Sequence, residues 1–239
     1  MDKLYIVIPA YNEEANIKSV IDDWYPVVEK HNGNGESRLV IINDGSKDNT
    51  YEIMCEYAKT RPLFTPITKP NGGHGATVLY GYNYALENGA DYIFQTDSDG
   101  QTLPSEFEEF WNCRNDHDMV IGWRNKREDG LSRFFVTKVL KLVLKICFGT
   151  TVTDANTPFR LMKATTLKEY IKYIPENFNL SNVILSVIYV KKKLAVKFIP
   201  ITFRPRQGGV NSINLPKIFK IGKQAVSDFR EINKTLKQI

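Results

Sequence analysis

Residues Tyr92–Gln101 read YIFQTDSDGQ. An apolar run with the composition of a buried strand ends in two aspartates one residue apart. Two neighbouring carboxylates repel unless something positive holds them. Asp, Ser and Gly are also turn formers. These ten residues alone therefore allow either a turn or a cation site, and the flanking chain has to decide.

Working outward, four more short apolar runs have the same form. They are LYIVIP (Leu4–Pro9), RLVIIND (Arg38–Asp44), FTPIT (Phe64–Thr68) and DMVIGW (Asp118–Trp123), with DYIFQTD (Asp91–Asp97) between the last two. Bounded by turn residues, they predict buried strands. The gaps carry helical spacing. Glu14–Lys30 places Ile17, Val20, Ile21, Trp24, Val27 and Val28 on one stripe, and Asn49 caps a helix through Thr60. A third helix covers Ala76–Asn88, with Gly89 as its stop. Strands alternating with helices over about 120 residues predict an α/β protein with a mostly parallel, Rossmann-like sheet covered on both faces. Ligands of such sheets bind beyond the carboxyl ends of the strands.

The segments after the five strands are PAYNEEANI, NDGSKDNT, KPNGGHGAT, TDSDGQ and GWRNKRED. Each is polar and turn-rich, the composition of a lined cleft. The dinucleotide pattern G-x-G-x-x-G is absent after the first strand. The glycines of NGGHGA let backbone approach a ligand and present helix N-terminal N–H groups to it. His74 reads as a loop residue, since no second His or Cys lies near it. In an extended segment, Asp97 and Asp99 point to the same side. With the amide oxygen of Gln101 they make a hard oxygen site, suited to Mg²⁺ or Mn²⁺ rather than Zn²⁺. So small a ligand set suggests a metal that arrives with a diphosphate.

The totals bound the remaining choices. The 239 residues make one large domain or a domain with an appendage, and 42% apolar and 25% charged content is that of a soluble globular protein. No apolar run is long enough to span a bilayer, and the N-terminus is no secretory signal. The three cysteines, Cys55, Cys113 and Cys147, lack metal-ligand spacing and read as reduced thiols of a cytosolic protein. Residues 1–119 hold 9 Lys and Arg against 20 Asp and Glu, a net of −11; residues 120–239 hold 23 against 7, a net of +16. Such asymmetry points to an anionic partner. The regular stacking aromatics of single-stranded nucleic-acid modules are missing, which argues against nucleic acid.

IPAYNEEANI, INDGSKDNT, NGGHGATVLYGYNYAL and DSDGQ follow one another as in family 2 glycosyltransferases of the GT-A fold, and the chain resembles most the polyisoprenyl-phosphate sugar transferases of that family. The match continues through GWRNKRED…SRFF, DANTPFRLMKA and ITFRPRQGGVNSIN, over roughly residues 3–213. The resemblance implies a GT-A domain over 1–213, with 1–119 as the nucleotide-sugar half and 120–213 as the acceptor half, and residues 214–239 as a basic amphipathic helix. It places Pro9, Ala10, Tyr11, Glu13 and Asp44 on the nucleotide, with Asp97 and Ser98 beside them. Asp97 and Asp99 match the family's D-x-D motif, and Gln101 a further metal ligand, for Mg²⁺ or Mn²⁺. The implied reaction is an inverting, metal-assisted displacement that moves a sugar from a nucleotide sugar, UDP-linked on this reading, to a polyisoprenyl phosphate.

A sugar-hydroxyl acceptor in surface polysaccharide or glycolipid synthesis is the alternative. It needs a general base. Where the family carries one, this chain reads ENFNLSNVILS, with Glu176 at its start and Asn179, Leu180 and Ser181 at the expected place. Asp154, in TDANTPF, is the better remaining acid, and this departure favours a phosphate acceptor. Arg124, Arg133 and Arg206 match positions that grip lipid phosphate or diphosphate; Arg127 and Arg204 are nearby candidates. A sugar-nucleotide pyrophosphorylase would need a Gly- and Arg-rich loop where this chain has PAYNEE. A non-catalytic binding protein is the remaining class.

Two segments bear on membranes. Ser132–Gly149 is helical in pattern and very apolar, with Lys138, Lys141 and Lys145 in one stripe. It reads equally as an interfacial helix or as a core helix with one exposed edge. Lys217–Ile239 carries Ile218, Ile221, Ala225, Phe229, Ile232, Leu236 and Ile239 on one stripe and its basic residues largely off it. It could dock on the domain, pair with another chain in a homo-oligomer, or lie on an anionic membrane. Without a spanning helix, attachment would be peripheral, at the cytoplasmic, inner face of the membrane.

Overall fold

A computed structural model describes residues 2–33, 35–124, 130–205 and 227–236 of the chain, the side chains of 130–138 excepted. The strands are β1 (Leu4–Ala10), β2 (Arg38–Asn43), β3 (Phe64–Thr68), β4 (Tyr92–Gln95), β5 (Met119–Arg124), β6 (Arg160–Lys163) and β7 (Val196–Ile201). The helices are α1 (Ile17–Lys30), α2 (Thr50–Ala58), α3 (His74–Glu87), α4 (Phe107–Asn112), α5 (Gly130–Phe148), α6 (Ala164–Tyr170) and α7 (Ser181–Lys191). The strands form one sheet in the order β3-β2-β1-β4-β6-β5-β7. Only β6 among them runs against the rest. This is the GT-A, Rossmann-like architecture that the sequence predicts.

Strand periodicity explains the two faces. In β1, Tyr5 and Val7 join the core on one side while Leu4, Ile6 and Ile8 join the other; β2 divides as Val40 and Ile42 against Leu39 and Ile41. Both sets are apolar because helices cover both faces. Helices α1, α2 and α4 lie over one, and α3, α5, α6, α7 and the helical residues 227–236 over the other. In that last segment Phe229, Ile232 and Leu236 are buried in the shared core. The edge strands β3 and β7 each contain a proline, Pro66 and Pro200, as positions that can forgo a ladder hydrogen bond permit.

Two strands lie beyond the sequence expectation. The antiparallel strand β6 inserts between β4 and β5, pairing Phe94 with Leu161 and Ile121 with Arg160. Its four residues, RLMK, are too few for a clear period and contain an arginine. Strand β7 is half-exposed and lysine-bearing. Strand β4 also stops at Gln95, two residues short of the expected end. Asp97 is therefore outside the strand, and Ser98 and Asp99 form a turn closed by Gly100 at φ +69°. The strand-based argument that i and i+2 share a side does not apply there.

Candidate active site

The cleft lies at the carboxyl edge of the sheet. After β1 and β2, two polar loops are laced together. Asn12 N donates to Ser46 Oγ (2.9 Å) and Lys47 N to Asn12 Oδ1 (2.8 Å). Glu14 N donates to Asp48 Oδ2 (3.1 Å) and Glu13 N to Thr50 Oγ1 (2.9 Å). The Glu13 carboxylate is buried and accepts from Asn16 Nδ2 at 2.7 Å. Pro9 and Ala10 pair with Ile42 and Asn43 within the sheet, and Tyr11, next along, has an exposed ring.

Asp44, at the end of β2, is buried and heavily bonded. Its Oδ1 accepts from Lys69 Nζ (2.5 Å) and Gly72 N (2.8 Å), and its Oδ2 from Gly73 N (2.9 Å). Burial alone would raise its pKa, but the bonds from Lys69, Gly72 and Thr77 prevail and hold it below the ordinary carboxylate value. A carboxylate offers about four acceptor positions, and the protein's own donors take up most of those of Asp44. The glycines that sequence reading associated with ligand approach thus bind Asp44 through their own N–H groups. Gly45, at φ +65°, is required for a second reason: a Cβ there would lie 2.8 Å from Asn71 N.

The turn that opened the sequence reading gathers Asp97, Ser98, Asp99 and Gln101. It is closed at its neck by Thr96 Oγ1 and Thr102 Oγ1, 2.7 Å apart. Gln101 is held on the backbone after β7: Arg204 N donates to Gln101 O and Gln101 Nε2 to Arg204 O, both at 2.8 Å. With its nitrogen committed, the amide oxygen is the end of Gln101 turned away from that carbonyl. Asp99 Oδ1 accepts from Gln101 N at 3.1 Å.

His74 is the first residue of α3, and its Nε2 lies 3.0 Å from Asp97 Oδ1. Desolvation opposes a charge on the ring, but Asp97, then Asp99 and Asp44, outweigh it and raise the pKa above 6.5. The position of α3 depends on Gly75, where a Cβ would fall 2.2 Å from Phe178 O. Helix α3 therefore starts in contact with the ENFN segment, in which Glu176 is exposed.

Asp97 is also held from within. Gln95 Nε2 donates to Asp97 Oδ1 at 3.1 Å. Gln95 Oε1 accepts from Asn182 Nδ2 (3.0 Å) and from Tyr82 OH (3.4 Å). Gln95, Tyr82 and Asn182 are all buried. Next to them Arg160, fully buried, donates to the carbonyls of Ala155 (3.2 Å), Thr157 (2.5 Å) and Asn182 (3.0 Å) and to Ser186 Oγ (3.2 Å). Burial lowers its pKa below that of an ordinary guanidinium. Arg160 thereby fastens the loop that carries Asp154 to helix α7.

Asp154 and Arg124 pair with one another. Arg124 Nε meets Oδ2 and its NH2 nitrogen meets Oδ1, both at 2.9 Å, a bidentate fork largely out of solvent. The Arg124 guanidinium also lies over the Phe203 ring, 5.2 Å from its centroid. Arg206 and Arg127 lie outside the described residues, as does the side chain of Arg133 on α5.

Among the described residues, no three His, Cys, Asp or Glu side chains group as a metal cage. The donor set at the turn nonetheless fits a hard divalent cation. Two carboxylates and an amide oxygen suit Mg²⁺ or Mn²⁺, which keep waters and share their shell with phosphate oxygens.

Sequence reasoning missed His74, Lys69, Gln95, Asn182, Tyr82 and Arg160. Some left a signal. Gln95 is a polar residue inside a fully buried strand, and Asn182 is the second residue of a mostly apolar helix, SNVILSVIYVK. Each needs a buried partner, but the partner's identity was not in the local pattern.

A sheet of this topology, with acidic segments gathered at its carboxyl edge, has the GT-A architecture. Residues 5–171 match the model of Glycosyl transferase family 2, and the chain belongs to that family. Its relatives include the UDP-N-acetylglucosamine–dolichyl-phosphate N-acetylglucosaminyltransferase of Methanococcus voltae, 30% identical over 70% of this chain and 72% of that protein. The polyprenol monophosphomannose synthase of Mycolicibacterium smegmatis is 22% identical over 87% of this chain and 80% of its own length. Among solved structures, glucosyl-3-phosphoglycerate synthase from Mycobacterium tuberculosis, in complex with Mn²⁺, UDP and glucosyl-3-phosphoglycerate, superposes with a TM-score of 0.69 at 18% identity. It covers 98% of this chain and 80% of that one, and shows the shared fold.

Proposed function

We propose that this protein transfers a sugar from a UDP-linked donor to a polyisoprenyl phosphate, with inversion at the anomeric carbon, as a peripheral protein at the cytoplasmic face of a membrane. The observation that carries the acceptor is the Arg124–Asp154 fork. Asp154 is the acid that the sequence offers as general base at the acceptor end, and Arg124 clasps it through both oxygens. Both oxygens of Asp154 are thereby engaged in charge-assisted hydrogen bonds to a guanidinium, which competes with service as a base. A sugar hydroxyl would depend on such a base, whereas a phosphate oxygen is already an anionic nucleophile. The Methanococcus relative, by its name, joins a UDP-sugar to dolichyl phosphate.

On this reading, an acceptor phosphate oxygen forms the new bond to the anomeric carbon. The bond to the donor's diphosphate breaks, and its electron pair leaves with the nucleoside diphosphate. Tyr11, Glu13 and Asp44 hold the nucleoside. Asp97, Asp99 and Gln101 would hold a divalent metal, which when bound would supply Lewis-acid stabilisation of the departing diphosphate. Gln95 and His74 both hold Asp97 through its Oδ1.

The test is transfer of radiolabel from UDP-glucose, UDP-N-acetylglucosamine and GDP-mannose to undecaprenyl and dolichyl phosphate with Mn²⁺, resolved by thin-layer chromatography. Label in the lipid from a UDP-sugar, abolished by chelator and by Asp99→Ala, is the expected outcome. Label on saccharide acceptors alone, or transfer indifferent to Asp99→Ala, refutes the proposal.

A further inference from the structure

We infer that Arg160 is a positioning residue that ties the two ends of the crevice together, setting Asp97 at one and the Asp154–Arg124 fork at the other. Its effect on the reaction rests on the function proposed above; the linkage itself does not. A guanidinium carries five N–H groups in a fixed fork. Arg160 makes five bonds, all to neutral oxygens. Two reach Thr157 O, from Nε at 3.0 Å and from NH2 at 2.5 Å. The others reach Ala155 O (3.2 Å), Asn182 O (3.0 Å) and Ser186 Oγ (3.2 Å). Ser186 repeats the bridge, its hydroxyl lying 3.0 Å from Ala155 O and 2.8 Å from Asn182 O. Ala155 adjoins Asp154, so both bridges hold the carboxylate of the fork against α7.

From Asn182 the path continues to the metal turn. Its carbonyl is held by Arg160, its side chain donates to Gln95 Oε1, and Gln95 donates to Asp97 Oδ1. Tyr82 OH closes the corner, 3.2 Å from Asn182 Oδ1 and 3.4 Å from Gln95 Oε1. Every residue on the path from Ala155 to Gln95 is buried. Water does not reach these links to replace a lost one, so a shift at one end is felt at the other. A charge so buried costs free energy that an apolar side chain in β6 would not. What an arginine supplies there is the five-donor fork. Burial opposes its charge, and the carboxylates of Asp154 and Asp97 are among the groups that support it.

Hydrogen exchange of the full chain, without ligands, reads the linkage. Arg160→Lys keeps the charge but cannot fill the fork, and should speed exchange about tenfold in both 153–157 and 96–101. Gln95→Met should speed it in 96–101 alone. Ser186→Ala removes a single hydroxyl and should show the Arg160→Lys pattern at about fivefold, the worth of one ordinary hydrogen bond. It carries the test where Arg160→Lys fails to fold. Calorimetry with Mn²⁺ and UDP, on protein shown folded by circular dichroism, reads the consequence. Gln95→Met and Arg160→Lys should each weaken Mn²⁺·UDP binding about tenfold, the usual effect of losing a partner behind a metal ligand. The KM for undecaprenyl phosphate should rise with Arg160→Lys and hold with Gln95→Met, a split that a merely structural arginine would not produce. Unchanged exchange at 96–101 in both Arg160→Lys and Ser186→Ala, or an acceptor KM equal in Arg160→Lys and Gln95→Met, overturns the proposal. Linked exchange in a wild type that binds no Mn²⁺·UDP, or uses no lipid phosphate, upholds the linkage and removes the functional reading instead.

Discussion

Replacing Gln95 by Met separates the buried network from the fold around it. Gln95 is fully buried and of nearly the same volume as Met, so packing is conserved. The change removes the donor to Asp97 Oδ1 at 3.1 Å and the acceptor for Asn182 Nδ2 at 3.0 Å. Leaving the Asn182 donor buried without that partner costs about 1–3 kcal/mol. The lost bond to a charged carboxylate costs about 1.5–3 kcal/mol; Asp97 is 28% exposed, so water replaces part of it and the low end applies. The sum is about 2.5–4.5 kcal/mol, read by equilibrium urea denaturation followed through tryptophan fluorescence. Asn182→Leu alone should destabilise by a similar mechanism. Gln95→Met with Asn182→Leu should be at least about 1 kcal/mol better than the sum of the singles, because the apolar pair leaves neither partner waiting. A Gln95→Met loss under about 0.5 kcal/mol, or strict additivity of the two changes, would refute the idea that this network holds Asp97.

Three further outcomes follow from the same geometry. Arg160→Met should cost about 2–4 kcal/mol in urea denaturation, since the buried carbonyl of Thr157 loses both of its guanidinium donors. Gly75→Ala should destabilise by at least about 1–3 kcal/mol, the usual cost of overpacking, because its Cβ would sit 2.2 Å from Phe178 O; an unchanged melting temperature would contradict that contact. The Asp44 carboxyl has its pKa depressed on folding, so its contribution is complete above the ordinary value of 3.8 and is lost as pH falls through the lower folded value. Wild type should therefore exceed Asp44→Asn in stability at neutral pH, with the gap closing below pH 3.8.

Much of this was legible along the chain. Continuous apolar runs in LYIVIPA and RLVIIN, bounded by turn residues, already imply a sheet buried on both faces, because neighbouring side chains must leave a strand on opposite sides. The polar segments after each strand, and the acids of DSDG, mark the crevice because a parallel sheet delivers every such segment to one edge. These are local rules, set by backbone geometry and the cost of burying polar groups. The partners of those residues were decided only by the tertiary structure. Asp44 meets Lys69 across 25 residues, and Asp97 meets His74 across 23. Asn182 reaches Gln95 across 87. The antiparallel strand β6 could not be read from RLMK, since its place depends on the gap that β4 and β5 leave open. Pairing over such separations follows from how whole helices pack on the sheet. A short stretch such as YIFQTDSDGQ can therefore state that a charge needs a partner, and only the assembled fold supplies which one.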